Sequence, residues 1–499
     1  MGADCFSVEN LFRDGLMPHA LLSIDQGTTN TKALLVAEDG RVLAYGSSAV
    51  PLDLPRPAWF EQDADVIWAS VLDAAAQCLA AAPEADVAGV TVSAQRESVV
   101  AWSRSTGRPL SPVIGWQDGR TTEFCARLAA GGAAEEVRAR TGLRLDPMFS
   151  APKLRWLVDS ADLGHDACLG TVDAYLVHRL TGGAVFATEI GCASRTLLLD
   201  IRKGAWSPEL LELFGVAPEL LPEVRGSADG FGVTAGFGAV PDGVPVRAVL
   251  GDSHAALYAQ GCHTPGTAKA TYGTGSSVMA PADGVDGFSD RLSTTLAWQL
   301  TEPVAALEGN ILATGAALET TAGLVGADGG ESVAALAATV ADAGGLVMVP
   351  AFAGLAAPHW DRGARGLLLG LARDTSPAHV ARAAIDAVAH QVCDVVEVID
   401  EESAPLTELR ADGGGSRSEL LMQTQADLLG RPVTVAATSE LSALGVAQLA
   451  WSAGRGDAGP PPAPVARVYE PRLDAARREE ARAGWRDAVR RSSGTEARR

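Results

Sequence analysis

Two periods of apolar and polar positions run along this chain. Near the start, "ALLSIDQG" and "TKALLVAEDGRVLAYGSSAV" have strand composition. They predict three strands, the second and third joined at Asp39-Gly40, a pair that favours a tight hairpin. Residues 63 to 82 switch to the apolar spacing of a helix, and "VAGVTVSAQRESVVAWS" returns to strand composition. Further on, "VPVRAVLGDSHAALYAQG" reads as a strand, a Gly-Asp turn and a helix, and "AKATYGTGSSVMA" repeats the opening plan of a strand turning at Gly-Thr. The clearest helix lies within residues 375–399. Ser376 is its N-cap, Pro377 suits its first turn, and Val380, Ala384, Ala387, Val388, Val395 and Ile399 form one apolar stripe.

A chain of 499 residues exceeds what one hydrophobic core usually supports, so two domains are expected. The repeated strand-turn plan places the boundary near residue 255. This gives an extension over 1–19, halves over 20–255 and 256–455, and a final segment over 456–499. That segment holds the Pro-rich "GPPPAPV" and a charged tail of helical composition whose last residues are expected to fray.

Composition narrows the functional classes. Nearly half the residues are apolar and a fifth charged, the balance of a soluble globular protein. A net charge of −21 argues against nucleic-acid or anionic-membrane partners. No apolar run is long enough for a membrane span, and residues 1–19 lack a signal-peptide core. The seven cysteines are scattered, with no zinc-type spacing, and read as core thiols of a reducing cytoplasm.

Candidate chemistry begins at "SIDQGTTNTK". Gly27, Thr28, Thr29 and Asn30 can turn N–H groups and hydroxyls toward phosphate oxygens. Asp25 can hold a hard cation directly or through water, and Lys32 can add a point charge. Alone, the turn fits an ordinary hairpin as well. It is not a P-loop, since G-x-x-x-x-G-K-[ST] is absent and a strand follows it. A second turn, Gly273-Thr274 in "TYGTGSS", supplies donors from the other half. A third cluster, "DGGGSRSELL", has Gly413 and Gly414 where a flat ring can approach backbone, followed by Ser418 before a helix.

With these motifs the chain resembles the FGGY family of carbohydrate kinases, and within it the glycerol kinases most. The resemblance runs from about residue 20 to 455 through "IDQGTTNTK", "QRES", "GWQDGR", "DPMFSAPKLRW", "ASRTLLLDI", "GDSHAAL", "YGTGSS", "DGGG" and "SALGVAQLA". It implies an α/β fold of two actin-like, ribonuclease H-like domains around a central cleft. ATP and Mg2+ are then the expected cofactors, with magnesium near Asp25 and Asp252, and a small polyol or ketose is the expected substrate. Dimers and tetramers occur in the family, and nothing in the sequence selects between them.

On this reading Arg96 and Glu97 of "QRES" grip adjacent hydroxyls, a fixed cationic donor beside an acceptor. Without the resemblance they are simply a solvated pair. Trp116 covers a C–H face of the polyol; otherwise it is core. Asp252 is the expected catalytic base, although a carboxylate at a helix start is also an ordinary cap. His254 reads as a neutral polar wall residue rather than a second base. No histidine stands between His178 and His254, so the phosphorylated regulatory histidine of some glycerol kinases has no counterpart.

Three positions depart from the glycerol pattern. Met148 replaces a tyrosine, Ser253 a glutamine and Ser277 an aromatic residue, which removes hydroxyl-reading groups and wall volume. "WQDGR" and "FSAPKLRW" lean toward the xylulokinase branch. The expected acceptor is therefore a polyol or ketose of four or five carbons, with glycerol as the alternative. An actin-like ATPase would share the phosphate turns without needing Arg96, Glu97, Trp116 and Asp252 together. A sugar-binding regulator would not need the complete catalytic set.

Overall fold

The computed structural model describes residues 19–161, 163–285, 288–453 and 460–493. β1 (His19–Gln26), β2 (Asn30–Ala37) and β3 (Val42–Ala49) are consecutive antiparallel neighbours, the three strands expected from composition, with β2 and β3 joined at Asp39-Gly40. Helix α1 (Ala64–Ala81) starts where the Asp63 carboxylate accepts from the N–H groups of Asp65 and Val66. It buries Ile67, Val71, Ala74 and Cys78 against this sheet. Gly46 on β3 makes the approach possible, because a Cβ there would stand 2.1 Å from the Ala74 carbonyl oxygen. α1 is also long and apolar enough to cross a membrane by length and composition, but its apolar face is occupied by packing on the sheet.

β4 (Asp86–Ala94) adds parallel to β1, and β5 (Val246–Gly251) adds parallel to β4. The order is β5-β4-β1-β2-β3, an antiparallel trio continued by parallel strands. α2 (Asp252–Ala259) leaves directly from β5 and leads into the second half.

That half repeats the plan. β6 (Thr267–Tyr272), β7 (Ser276–Ala282), β8 (Ser293–Gln299) and β9 (Pro303–Ile311) form the antiparallel part of its sheet. α3 (Pro377–Glu402) lies in the core of this half. Its cap is Ser376 as predicted, closed by His379, whose Nδ1 lies 3.1 Å from the Ser376 N–H. β10 (Glu408–Asp412) runs parallel to β6, and α4 (Glu419–Leu429) leads to β11 (Val433–Ala436). The repeated order is that of the ribonuclease H-like, actin-like fold expected from the motifs.

α5 (Leu441–Ser452) then crosses back onto the first half. Its Ala443 carbonyl accepts from Ser23 Oγ on β1 at 2.6 Å, and Ser442 Oγ donates to the Asp252 carbonyl at 3.1 Å. Where α5 meets α2, a Cβ on Gly445 would lie 1.8 Å from the Ala255 carbonyl oxygen, so the two backbones touch.

The final segment contributes more structure than its composition suggested. Pro460 to Pro464 lie along α2 and α5, β12 (Val465–Tyr469) pairs with β11, and α6 (Ala475–Ser492) buries Trp485 and Arg482. The N-terminal extension before His19 and the end expected to fray, residues 494–499, lie outside the described residues.

Candidate active site

Register places the key acid residues. Asp25 ends β1 opposite Ser93 on β4, Ser93 is also opposite Leu250 on β5, and Asp252 follows two residues later. Both carboxylates thus emerge at the carboxyl ends of the two parallel strands that flank β4, the side of an α/β sheet where ligands bind. Ser93 Oγ donates to Asp25 Oδ1 at 2.9 Å. Burial, with the charge of Asp252 adding to it, pushes Asp25 up to about 7 against the opposing effects of Ser93 and Lys32. Asp252 is raised as well, by burial, with Arg96 opposing.

The first phosphate turn is braced from behind. Gly27 N–H bonds the Asn30 carbonyl at 3.0 Å, and Gln62 Nε2 donates to the Thr28 carbonyl at 2.7 Å. The N–H groups of Thr28 and Thr29 take no part in closing the turn, which leaves them for an anion. Lys32 is engaged, its Nζ 2.7 Å from Glu440 Oε2. In the other half Gly273 and Thr274 stand exposed between β6 and β7, steadied by Gly315 N–H and Ala316 N–H on their carbonyls. Gly413 has φ +84 and a Cβ there would meet the Tyr272 carbonyl oxygen at 2.7 Å, so only glycine fits. Gly414 opens the short turn after it. Ser418 caps α4, its Oγ accepting from Leu421 N–H.

Arg96 is buried, and Glu308 of β9 grips it edge to edge, Nη1 to Oε2 at 3.0 Å and Nη2 to Oε1 at 2.7 Å. Arg195 joins Glu97 to the same acid, with Nε 2.6 Å from Glu97 Oε1 and Nη1 2.9 Å from Glu308 Oε2. Burial alone would raise Glu308, but Arg195 and Arg96 outweigh it and hold its carboxyl well below the usual range. Glu97 has φ +63, a strained backbone for a non-glycine residue, and Ser150 Oγ holds its carbonyl at 3.0 Å.

Trp116 connects the two ligand regions, its Nε1 donating to Thr28 Oγ1 at 3.1 Å. Met148 opens the helix 150–160 region with its N–H on Asp146 Oδ1 at 2.9 Å. The buried Lys153 ammonium donates to the carbonyls of Pro147 and Met148. Burial lowers Lys153 to about 8 despite Glu97, Asp118 and Asp146 nearby. Ser253 flanks Asp252, giving its N–H to Asp252 Oδ1 at 2.6 Å. Ser277 Oγ donates inward to Glu308 Oε1 at 2.9 Å.

Comparison with known proteins accords with this geometry. The model of the FGGY family of carbohydrate kinases matches over residues 20–259 with its N-terminal domain and 268–454 with its C-terminal domain. The chain belongs to this family.

A glycerol kinase of Citrifermentans bemidjiense is 44% identical over 493 residues, covering 95% of this chain and 99% of that one. An apulose kinase of Pectobacterium atrosepticum is 43% identical over 438 residues, covering 86% and 88%. The crystal structure of Plasmodium falciparum glycerol kinase with ADP superposes with a TM-score of 0.88 at 26% identity, covering 95% and 98%. As an FGGY kinase the chain is a phosphotransferase that takes ATP as donor and an alcohol group of a small molecule as acceptor.

Within this FGGY site, sequence reasoning singled out the Gly-Thr turns, Arg96, Glu97 and Asp252 and missed the groups that pair with or brace them. Glu308, Arg195, Lys153 and Glu440 were not singled out. Glu308 carried a signal, a lone acid inside the apolar run "VAALEGNI". His254 was expected in the wall, but it is fully buried behind Arg96.

Proposed function

We propose that this FGGY kinase phosphorylates a polyol or ketose larger than glycerol, of four or five carbons. The observation that carries the reading is Ser277. Its small side chain stands where glycerol kinases carry an aromatic residue, and its hydroxyl is turned to Glu308. The wall therefore gains room there without a new group for hydrogen bonding. Met148 and Ser253 act in the same direction, and the similarity to an apulose kinase supports it.

The residues divide the work as follows. Asp252 Oδ1 is bound by Ser253 N–H, so Oδ2 accepts the proton of the attacking hydroxyl. Arg96 Nε lies 3.3 Å from Asp252 Oδ1 without hydrogen-bond alignment, which leaves this buried N–H for an acceptor oxygen. Glu97 Oε2 accepts from a neighbouring hydroxyl, and the Trp116 ring covers the carbon chain. N–H groups of Thr28, Thr29 and Thr274 face the phosphates, and closure around Gly413 and Gly414 receives the base.

Asp25 and Asp252 fit a magnesium ion, because two carboxylates share one cleft and the charge of Asp252 adds to burial in raising Asp25 to about 7. Bound, magnesium would neutralise charge on the phosphates. The six described cysteines are buried free thiols, which suits a cytoplasmic enzyme.

A second reading, glycerol as acceptor, is favoured by the 44% identity to a glycerol kinase over nearly the whole chain. The test is ADP release with magnesium and ATP across glycerol, tetritols, pentitols and ketopentoses. The highest kcat/KM is expected for a four- or five-carbon compound. Glycerol in first place establishes the second reading, and no stimulation by any of them overturns both.

A further inference from the structure

On α2 the residues after Gly251 part company. Asp252 and Ser253 turn to the cleft, whereas His254 points into the buried layer between the halves, with no exposed surface. Its Nε2 lies 3.2 Å from Arg96 Nη1. The space is tight. A Cβ on Gly191 would come within 2.9 Å of His254 Nδ1, and one on Gly251 within 2.7 Å of Arg96 Cγ and Cδ and 3.2 Å of His254 Nδ1. Ring and guanidinium are thus packed in one orientation.

A guanidinium has five N–H bonds in a fixed plane. On Arg96 the two of Nη1 go to Glu308 Oε2 and His254 Nε2, and one of Nη2 goes to Glu308 Oε1. The Nε–H is left on the Asp252 side, 3.3 Å from its Oδ1. Glu308 could hold Arg96 alone, but three acids lie within reach of this cation: Glu308, Glu97 and Asp252. Without an acceptor on the far side, Nη1 gains by rotating toward one of the other two. Asp252 already lies 3.3 Å from Arg96 Nε, and rotation toward it would draw the base into a closer, hydrogen-bonded pair.

We propose that His254 is a positioning residue for the acceptor clamp: as a neutral Nε2 acceptor it fixes the plane of Arg96, keeping Arg96 for substrate and Asp252 for the proton. The inference rests on the acceptor-site reading above. Arg96 Nη1 can only donate, so the 3.2 Å contact requires an unprotonated Nε2 on His254, and a doubly protonated ring could not accept from it. The acceptor role puts the proton on Nδ1, which is buried without a partner.

The test compares His254→Leu, which fills the space without accepting, with His254→Gln, which can accept. In the leucine variant kcat/KM for the preferred polyol or ketose is expected to fall about tenfold to a hundredfold, the range for a lost hydrogen bond to a charged group, with KM for ATP unchanged. The glutamine variant is expected to recover to within about threefold of wild type. Unchanged acceptor kinetics in the leucine variant overturn the proposal. So does an equal loss for both substrates that glutamine does not rescue, the mark of a merely structural residue. Histidine 15N spectra of the whole wild-type enzyme need no acceptor, so they separate this inference from the substrate reading. A neutral ring protonated on Nδ1 is expected from about pH 6 to 8, and a ring protonated on Nε2 overturns the proposal.

Discussion

Arg96 and Glu308 come from opposite halves of the chain, 212 residues apart, and meet through two parallel hydrogen bonds of 3.0 and 2.7 Å in the floor of the cleft. The proposed acceptor clamp is therefore not a property of either half alone. Its cation is supplied by the first sheet and its counterion by the second.

Glu308→Gln should accordingly destabilise the fold. Arg96 and Arg195 would be left buried with one fewer negative charge, a change that typically costs about 3–5 kcal/mol. Urea denaturation measures it, and a loss well under 1 kcal/mol would show that solvent or Glu97 compensates both cations.

Asp252→Asn is expected to reduce phosphoryl transfer by about 10²- to 10⁴-fold while ATP still binds. Single-turnover assays with calorimetric titration of ATP distinguish the two effects. Substantial residual turnover would remove Asp252 as the base.

Restoring the glycerol-type wall tests the specificity reading. The triple change Met148→Tyr, Ser253→Gln and Ser277→Phe should move the kcat/KM ratio toward glycerol by about tenfold or more, since sites built to bond hydroxyls discriminate strongly. Ser277→Phe also removes the hydroxyl on Glu308, so its stability is measured in parallel.

Glu189 predicts a pH dependence outside the cleft. It is fully buried, accepts from Ser227 Oγ at 2.6 Å and Cys192 N–H at 2.9 Å, and is raised from 4.5 to about 8 by burial, with Asp173 adding. Between those values the folded chain keeps a proton the unfolded chain has lost. Stability should therefore fall as pH rises through this window, by up to about 1.4 kcal/mol per unit. Glu189→Gln should reduce the slope and be more stable than wild type near pH 8, with a residual slope left by Asp173, Asp25 and Asp252. Denaturation at several pH values checks it, and parallel curves would exclude Glu189 as the source.

What could be read from the sequence follows from how local each signal is. The three opening strands, the cap of α3 and the turns at Asp25 and Gly273 depend on neighbours in the chain, and they appear as expected. Glu308 and Arg195 depend on strand order and on packing between halves, so their partners are invisible until the topology is known. Ser277 shows the same limit at the scale of one side chain: its place just after the second turn was legible, but the turn of its hydroxyl to Glu308 was not. β12 escaped notice because its short run follows a proline-rich stretch that masks it.

The contact of Gly445 with the Ala255 carbonyl leaves no room for a side chain between α5 and α2. Asp252 begins α2, so the helix that carries this carboxylate is seated directly on backbone contributed by the second half, and any larger residue at 445 would push it away.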